Sequence, residues 1–308
     1  MKILFIGGTH FLGRQTVEDA LIQGHNIYIL QRGKTNPDLF QNVTKYYGDR
    51  EKISEILPAN DHYDLVVDTC GYHPEIVKKS CQLLKDRTNL YIFISTGSLY
   101  ADFSMPGLNE QSTTSTLEDI PPISAPITNN NYGPLKTLCE QVVTNTFGIK
   151  KSLILRPGII VGPYDDSKRF DQLIKLIASN KTLDIPSDHQ TMIQFIDVRA
   201  ISHFILSSFD RKRSGTYNVI GPKKPIRLID FINTAKKLLN PGLELNYIPV
   251  DANLNFPMYF NNPKMNGIFQ LDGNKAYADG LMDIAIENTI QATNDYLKNL
   301  PLTLHCDL

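Results

Sequence analysis

Short apolar runs alternate with amphipathic segments along the first half of the chain. The runs typical of β-strands are Ile3–Ile6, Asn26–Leu30, Thr44–Tyr47, Leu65–Asp68 and Leu90–Ser95. The segments with helical periodicity between them are Arg14–Gln23, Ile53–Leu57 and Glu75–Leu84. Strands that are apolar along most of their length and alternate with helices are typical of a parallel sheet covered on both faces. The pattern therefore predicts a doubly wound α/β fold, which binds ligands at the carboxyl ends of its strands.

The second half of the chain has a less regular pattern. Residues 104–131 are polar and rich in Pro and Thr, and an irregular segment of this length in a compact domain is more often a functional loop than a linker. The later predicted elements are a strand over Ser152–Arg156 and helices over Leu138–Phe147, Phe170–Ala178, Ile226–Leu239 and Met282–Leu297, and a short apolar run over Gln194–Val198 precedes Ile201–Phe209. We expect a main domain over residues 1–160, a strand that returns to it near residues 216–220, and a smaller lobe over residues 161–308.

Composition restricts the classes of function. A hydrophobic content of 42% over 308 residues allows a sizeable core, and a net charge of −1 argues against strong binding to nucleic acid or to anionic lipid. The four cysteines form no C-x-x-C pair and the histidines show no metal-ligand spacing, so we expect reduced thiols, a cytoplasmic location and no metal site. No apolar run approaches the ~20 residues that a membrane span needs, so none is expected.

The first predicted strand runs directly into a glycine-containing loop, Gly7-Gly8-Thr9-His10-Phe11-Leu12-Gly13. A strand that opens through glycines into a helix can hold a phosphate on backbone N–H groups and on the helix N-terminus. A P-loop is excluded because Arg14-Gln15 stands where Lys-Ser/Thr is required. The residues predicted to contact the phosphates are Gly7, Thr9, His10, Phe11, Leu12 and Gly13. His10 occupies the usual middle-glycine position, and we expect its ring to lie near the phosphates and to hydrogen-bond them.

The ends of the next two strands bear on the type of dinucleotide. An NAD site usually has Asp or Glu after the second strand, whereas an NADP site has Arg. Here that strand is followed by Gln31-Arg32-Gly33-Lys34 without an acid, so we expect Arg32 to contact a 2′-phosphate and Lys34 to be a solvated cation. Asp49, after the third strand, either hydrogen-bonds the adenine amine or caps a turn.

Candidate chemistry follows the fifth strand. Ser95-Thr96-Gly97-Ser98 places hydroxyls at the strand end, where one could polarise a carbonyl. Tyr132 and Lys136 lie four residues apart near a predicted helix start, so they share a helix face, and an ammonium group lowers the pKa of a neighbouring tyrosine. Tyr164 and Lys168 have the same spacing, but Asp165-Asp166 would act in the opposite direction, so Tyr164 is interpreted as structural or as a substrate contact.

Taken in order, these motifs resemble the extended short-chain dehydrogenase/reductase superfamily, in its NAD(P)-dependent epimerase/dehydratase branch. The segments that carry the resemblance are Gly7–Gly13, Asp49, Ser95–Tyr100, Tyr132 with Lys136, and Leu155–Pro163. The resemblance implies a Rossmann domain with a small C-terminal substrate-binding lobe. It implies Thr96 as the catalytic hydroxyl, Tyr132 as the proton-transfer residue, and Lys136 as the residue that holds the nicotinamide ribose. It also implies that Cys70, Gly71 and Pro157 lie beside the cofactor.

The resemblance implies hydride transfer at a carbinol or carbonyl of a small molecule, with a nucleotide sugar as the family's commonest substrate class. NADP is the expected cofactor, with NAD as the alternative, and a homodimer is compatible with the family. Arg156 and Arg169 are candidates to contact a substrate diphosphate. Two other functions stay open: a simple NADPH-dependent reductase of another carbonyl compound, and a Rossmann scaffold that binds RNA or senses a dinucleotide without catalysis.

Overall fold

The computed structural model describes residues 1–167, 169–188, 190–250, 256–259 and 262–299. Its strands are β1 (Lys2–Ile6), β2 (Asn26–Gln31), β3 (Thr44–Tyr47), β4 (Tyr63–Asp68), β5 (Thr88–Ile94), β6 (Ser152–Pro157), β7 (Ile159–Val161), β8 (Thr182–Pro186), β9 (Met192–Ile193), β10 (Phe195–Asp197), β11 (Gly215–Val219), β12 (Ile226–Arg227) and β13 (Glu244–Ile248). Its helices are α1 (Phe11–Ile22), α2 (Ile53–Ile56), α3 (Pro74–Leu84), α4 (Asn129–Phe147), α5 (Phe170–Ser179), α6 (Val198–Leu206), α7 (Leu228–Leu239), α8 (Asn274–Ala278) and α9 (Ile286–Lys298). Short 3-10 turns cover Arg50–Lys52, Gly97–Leu99, Ile149–Lys151 and Pro263–Phe269.

Seven strands form one sheet in the order β11-β6-β5-β4-β1-β2-β3, and every neighbouring pair in it is parallel. The chain reverses its direction of travel across the sheet between β1 and β4, which is the point where doubly wound folds bind their ligands. The predicted doubly wound Rossmann fold is therefore confirmed. The strand predicted near residues 216–220 corresponds to β11, which pairs with β6.

The two faces of the sheet have separate apolar cores. Ile3, Phe5 and Ile29 point to the face covered by α1 and α6, whereas Leu4 and Val66 point to the face covered by α3 and α4. Alternate residues of each strand thus enter different cores, which explains why these strands have continuous apolar sequences. Burial on both faces keeps the carboxyl ends of the strands in fixed positions.

The C-terminal part builds a second core beside the sheet. Helices α5, α7 and α9 pack against one another around Phe170, Phe195 and Phe231, whose ring centroids lie 5.1–5.7 Å apart. Three two-stranded sheets surround this core: β7 with β10, β8 with β13, and β9 with β12. Strands of two to five residues give little periodicity, so most of them have no counterpart among the elements predicted from the sequence.

Helix α4 begins earlier than the pattern predicts. Thr128 and Asn131 form a reciprocal capping box: the Asn131 N–H donates to the Thr128 hydroxyl, and the Thr128 N–H donates to the Asn131 side chain at 2.7 Å. The helix therefore starts at Asn129, and Pro134 lies inside it, beyond its first turn. Among the described helices, none is long and apolar enough to cross a membrane.

Candidate active site

A cleft of about 890 Å³ lies at the carboxyl edge of the main sheet. Loops after β1, β2, β4, β5 and β6 form one side, and the segment before α5 and the C-terminal lobe form the other. The predicted site residues that line the cleft are Gly7, Thr9, His10, Phe11, Leu12, Gly13, Arg32, Asp49, Cys70, Thr96, Tyr132, Lys136 and Pro157. Gly71 differs from them, because it is buried beneath the cleft, where an added Cβ would collide with Phe93 and Val77.

Backbone geometry explains the glycines of the loop between β1 and α1. Gly7 and Gly8 have φ angles of +98° and +107°, in a region that other residues rarely adopt. Gly13 lets α1 approach the loop, since an added Cβ would lie 2.8 Å from the Cα of Gly8. The first-turn N–H groups of α1 have no acceptor within the helix and lie at the cleft. The loop therefore forms a cradle for an anion at a helix N-terminus.

His10 lies at the mouth of this cradle. Its Nε2 is 2.7 Å from Oδ2 of Asp166, which belongs to the segment between β7 and α5. Both side chains are more than half exposed, at 53% and 72%. The imidazole thus lines the cleft and joins its two sides through an exposed contact with the carboxylate of Asp166.

The far end of the cleft contains a buried amide. Gln31, the last residue of β2, is 7% exposed, and neither its Oε1 nor its Nε2 has a hydrogen-bond partner. Arg32 is the next residue and is exposed, and Asp49 caps the 3-10 turn by accepting the Glu51 N–H at 3.0 Å. Gln31 therefore occupies the strand-end position at which an NAD site has its acid.

A buried ion pair supports the floor of the cleft. Arg50 donates to both carboxylate oxygens of Asp68, at 2.8 and 2.7 Å, and the Asp68 side chain has no solvent exposure. Asp68 also accepts the Tyr91 hydroxyl at 2.8 Å and the Cys70 N–H at 3.2 Å, and Arg50 donates to Ser80. The sequence interpretation missed Arg50. The signal was available, because Asp68 ends an apolar strand and a buried carboxylate requires a partner.

Unpartnered polar atoms concentrate in the cleft. Among the described residues, six side chains have buried atoms without a hydrogen-bond partner, and the four that line the cleft are Gln31, Arg50 (Nε), Ser95 (Oγ) and Asp165 (Oδ2), whereas Asp171 and Tyr277 lie elsewhere. Native proteins leave few such groups without a partner, so polar ligand atoms are expected beside them. Together with the glycine cradle, this arrangement fits a dinucleotide whose phosphates lie on the loop and whose adenosine lies toward Gln31.

Thr96 and Tyr132 meet at the centre of the cleft. The Thr96 hydroxyl accepts the Ser98 N–H at 3.1 Å and interacts with the phenol of Tyr132. Gly133 makes this contact possible, since a Cβ there would lie 2.6 Å from the Ser98 carbonyl oxygen. Helix α4 can therefore approach the end of β5 closely enough to join the two hydroxyl groups.

The electrostatic surroundings of Tyr132 differ from the expected ones. Burial raises the pKa of Tyr132, and the hydrogen bond of Thr96 and the positive charge of Arg169 act in the opposite direction. The ammonium of Lys136 is instead directed at the carbonyl oxygens of Gly71 and Ile94, at 2.8 and 2.6 Å. In this arrangement Arg169, which was predicted as a substrate contact, is the cation that opposes part of the rise that burial causes in the pKa of Tyr132.

Lys136 remains available to a ligand in the cleft. An ammonium has three donors, and two are used by the Gly71 and Ile94 carbonyls. Lys136 is 2% exposed and lines the cleft, and burial lowers its pKa to about 8. Its third donor can therefore reach a hydroxyl group of a bound ribose.

Arg156 and Tyr164 do not line the cleft, so neither would contact a substrate diphosphate bound there. Arg156 is 6% exposed and makes bonds of 2.7–3.3 Å to the carboxylate of Glu140, so it joins β6 to α4. The Tyr164 hydroxyl donates to Glu18 at 3.0 Å, which fits its structural interpretation, and Lys168 lies outside the described residues.

Solved structures share this fold over nearly the whole chain. A UDP-Glc/GlcNAc 4-epimerase from Campylobacter jejuni is 20% identical, with a TM-score of 0.71 and coverage of 97% of this chain and 99% of that one. A UDP-N-acetylglucosamine 4-epimerase from Bacillus cereus is 18% identical, with a TM-score of 0.72 and coverage of 97% and 100%. At these identities the likeness concerns the fold.

A curated relative matches a shorter segment. An isoflavone reductase homologue from Solanum tuberosum is 36% identical over 81 residues, which are 23% of this chain and 26% of that protein. The match thus spans about a quarter of the relative's length.

The family model described as "NAD dependent epimerase/dehydratase family" matches residues 3–220. This range contains the glycine loop, Thr96, Tyr132 and Lys136, and the resemblance drawn from those motifs is confirmed. By its description the family consists of NAD-dependent enzymes. Since the match covers well over half of the chain, the protein belongs to the NAD dependent epimerase/dehydratase family.

Proposed function

We propose that this protein is an NADP-preferring oxidoreductase or epimerase/dehydratase that acts at a carbinol or carbonyl carbon of a small molecule. The observation that carries the proposal is the Thr96–Tyr132 contact, which lies in the same cleft as a glycine cradle and a buried lysine. Two adjacent hydroxyl groups with a nearby cation are suited to move a proton at a substrate oxygen. Nothing in this arrangement requires a metal ion.

Each polar residue has a distinct role in the proposed reaction. A nicotinamide cofactor, when bound, supplies or accepts the hydride. Thr96 accepts the Ser98 N–H, so its own proton is free to point at the phenol of Tyr132. Tyr132 then donates a proton to the substrate oxygen during reduction, or accepts one during oxidation. Lys136 orients the ribose with its third donor, while Arg169 favours the phenolate form of Tyr132.

The preference for NADP follows from the residues at the end of β2. An amide at Gln31 can hydrogen-bond a ribose without the repulsion that a carboxylate would exert on a 2′-phosphate. Arg32 is exposed at the rim of the same cleft, and its guanidinium can pair with a phosphate through two bonds. Freely exchanging NADP favours one-way reduction, the second candidate function, over epimerisation with a retained NAD.

Arg32→Ala tests the cofactor preference. We expect the affinity for NADPH to fall by about 10- to 100-fold, because a charge-assisted bond of roughly 1.5–3 kcal/mol is lost, while the affinity for NADH stays unchanged. Lys34→Ala is the matched control, since Lys34 is an exposed cation two residues further along the same rim, and we expect less than about a threefold change. Calorimetric titration measures both values. Equal weakening of NADPH and NADH would contradict a contact with the 2′-phosphate.

His10→Gly tests whether the imidazole contacts the phosphates. We expect NADPH affinity to fall by about fivefold, which corresponds to one exposed charged contact of up to about 1 kcal/mol. Asp166→Asn removes the partner carboxylate but keeps the ring, so it should leave NADPH binding unchanged or tighter. If both variants weaken binding equally, the ring acts only through its pair with Asp166, and the phosphate contact is wrong.

A further prediction concerns the oligomeric state of the protein. The homodimer compatible with the family is expected, and light scattering of the purified protein tests it.

A scaffold that binds RNA without catalysis is the rival function, and the near-neutral charge of the chain argues against it. Salt-dependent submicromolar RNA affinity in a filter-binding titration would favour that rival.

A further inference from the structure

We infer that the substrate is a small carbonyl or carbinol compound with an aromatic or alicyclic hydrocarbon body, and not a nucleotide diphosphate sugar. The inference rests on the proposed function, because it concerns the part of the same cleft that flanks Thr96 and Tyr132. It is carried by the chemistry of the two walls around those hydroxyl groups, by the charges near them and by the size of the cleft.

The first wall is apolar and partly exposed. Tyr72, Ile123 and Ile127 line the cleft with exposed fractions of 48%, 36% and 46%, and the ring of Tyr72 lies 6.4 Å from that of Tyr132. The loop that carries the isoleucines is tied to α3, since His73 Nε2 lies 2.9 Å from the Pro121 carbonyl oxygen. Large apolar side chains exposed within a concave site favour an apolar ligand.

The opposite wall is apolar as well. Ile268 and Leu271 line the cleft, and Leu271 is held by two hydrogen bonds between its backbone and the Gln194 side chain, at 3.0 and 3.1 Å. Leu271 stands against the strand end that carries Thr96, since a Cβ at Gly97 would lie 2.8 Å from its Cδ1. A substrate oxygen at Thr96 would therefore have hydrocarbon on both sides.

The charges on this side of the cleft disfavour a diphosphate. Among the described residues of the segment before α5 that line it, the charged ones are Asp165, Asp166 and Arg169. Two carboxylates beside one guanidinium would repel a group with about two negative charges. The glycine cradle and Arg32 are suited to phosphates, but they lie at the end that the dinucleotide would occupy.

The size of the cleft points the same way. Its volume of about 890 Å³ must accommodate the dinucleotide and the substrate together. Pockets of roughly 300–1,000 Å³ usually hold a single drug-sized ligand. A compound the size of a substituted ring matches the space beside a dinucleotide better than a second nucleotide does.

Thermal-shift titrations of the full chain test the inference with two apolar ketones, benzylacetone and menthone, and with UDP-glucose. NADPH is titrated first, alone, because the absence of any shift would contradict the proposed function itself. With NADPH at saturation, we expect either ketone to raise the melting temperature further in a saturable way, and UDP-glucose to have no effect. Tighter binding of UDP-glucose, or no saturable shift with either ketone, would overturn the substrate class while the cofactor assignment stands.

A matched pair of variants locates the binding. Ile123→Asn places an amide in the first wall, and we expect the affinity of the NADPH-loaded protein for the better ketone to fall by about tenfold. Ile120→Asn changes the same loop at a residue that is 48% exposed and does not line the cleft, so the affinity should stay within about twofold. NADPH affinity should be unchanged in both variants. Equal ketone affinities in the two variants would place the ketone outside this cleft.

Discussion

Tyr132→Phe is expected to lower the rate of the chemical step by about 10²- to 10⁴-fold, the usual contribution of a positioned acid or base. The phenol lies beside the Thr96 hydroxyl, and the charge of Arg169 opposes part of the rise that burial causes in its pKa. Phenylalanine keeps the ring beside Tyr72 but removes the oxygen. The cleft should therefore retain its shape and lose its proton carrier.

Single-turnover reduction of a ketone, followed through the absorbance of NADPH, measures this effect. Calorimetry should give the same NADPH affinity for the variant and the wild type, because the hydroxyl acts on the substrate. Tyr164→Phe is a suitable control, since that hydroxyl bonds Glu18 on α1. An unchanged single-turnover rate in Tyr132→Phe would exclude Tyr132 as the proton carrier.

Asp68→Ala is expected to lower the free energy of unfolding by about 3–5 kcal/mol. The carboxylate is fully buried and accepts hydrogen bonds from the Arg50 guanidinium, the Tyr91 hydroxyl and the Cys70 N–H. Its removal leaves a guanidinium with 10% exposure without its partner. Because Arg50 and Cys70 also line the cleft, NADPH affinity should fall as well.

Denaturant-induced unfolding measures the loss of stability in Asp68→Ala, and two further variants test its cause. Asp230→Ala breaks an ion pair with Arg227 whose side chains are 46% and 48% exposed, so it should cost about 1 kcal/mol or less. The double variant Arg50→Met/Asp68→Asn removes the buried charge and keeps an acceptor for Tyr91, so it should be more stable than Asp68→Ala. A double variant no more stable than Asp68→Ala would contradict the role of the unpaired guanidinium.

Local patterns were sufficient to predict the main sheet and the glycine loop. The loop from β1 to α1 is contiguous in the sequence. Gly7 and Gly8 are required by their positive φ angles, and Gly13 is required because it packs closely against Gly8 in the same motif. The capping box of α4 was equally local, but Thr128 and Asn131 lie in the polar stretch interpreted as a loop. The helix predicted from Leu138 therefore begins about two and a half turns earlier, at Asn129.

The missed features depend on contacts between distant segments. Gly133 allows α4 to pack closely against the Ser98 carbonyl, and the residues next to Gly133 in the sequence do not indicate this close packing. Gln31 resembles an ordinary polar residue at a strand end until its amide proves to be buried without partners. The effect of Arg169 on Tyr132 likewise joins the segment before α5 to α4. Such relations arise from the packing of segments that are distant in sequence, which short sequence patterns do not encode.

The central claim is that this cleft binds a nicotinamide dinucleotide and prefers NADP. Calorimetric titration of the wild-type protein with NADPH and, separately, with NADH tests it most directly. The account predicts saturable binding of both, with NADPH tighter by about tenfold or more because of the contact between Arg32 and the 2′-phosphate. Binding of neither dinucleotide would contradict the cofactor site, and tighter binding of NADH would contradict the preference.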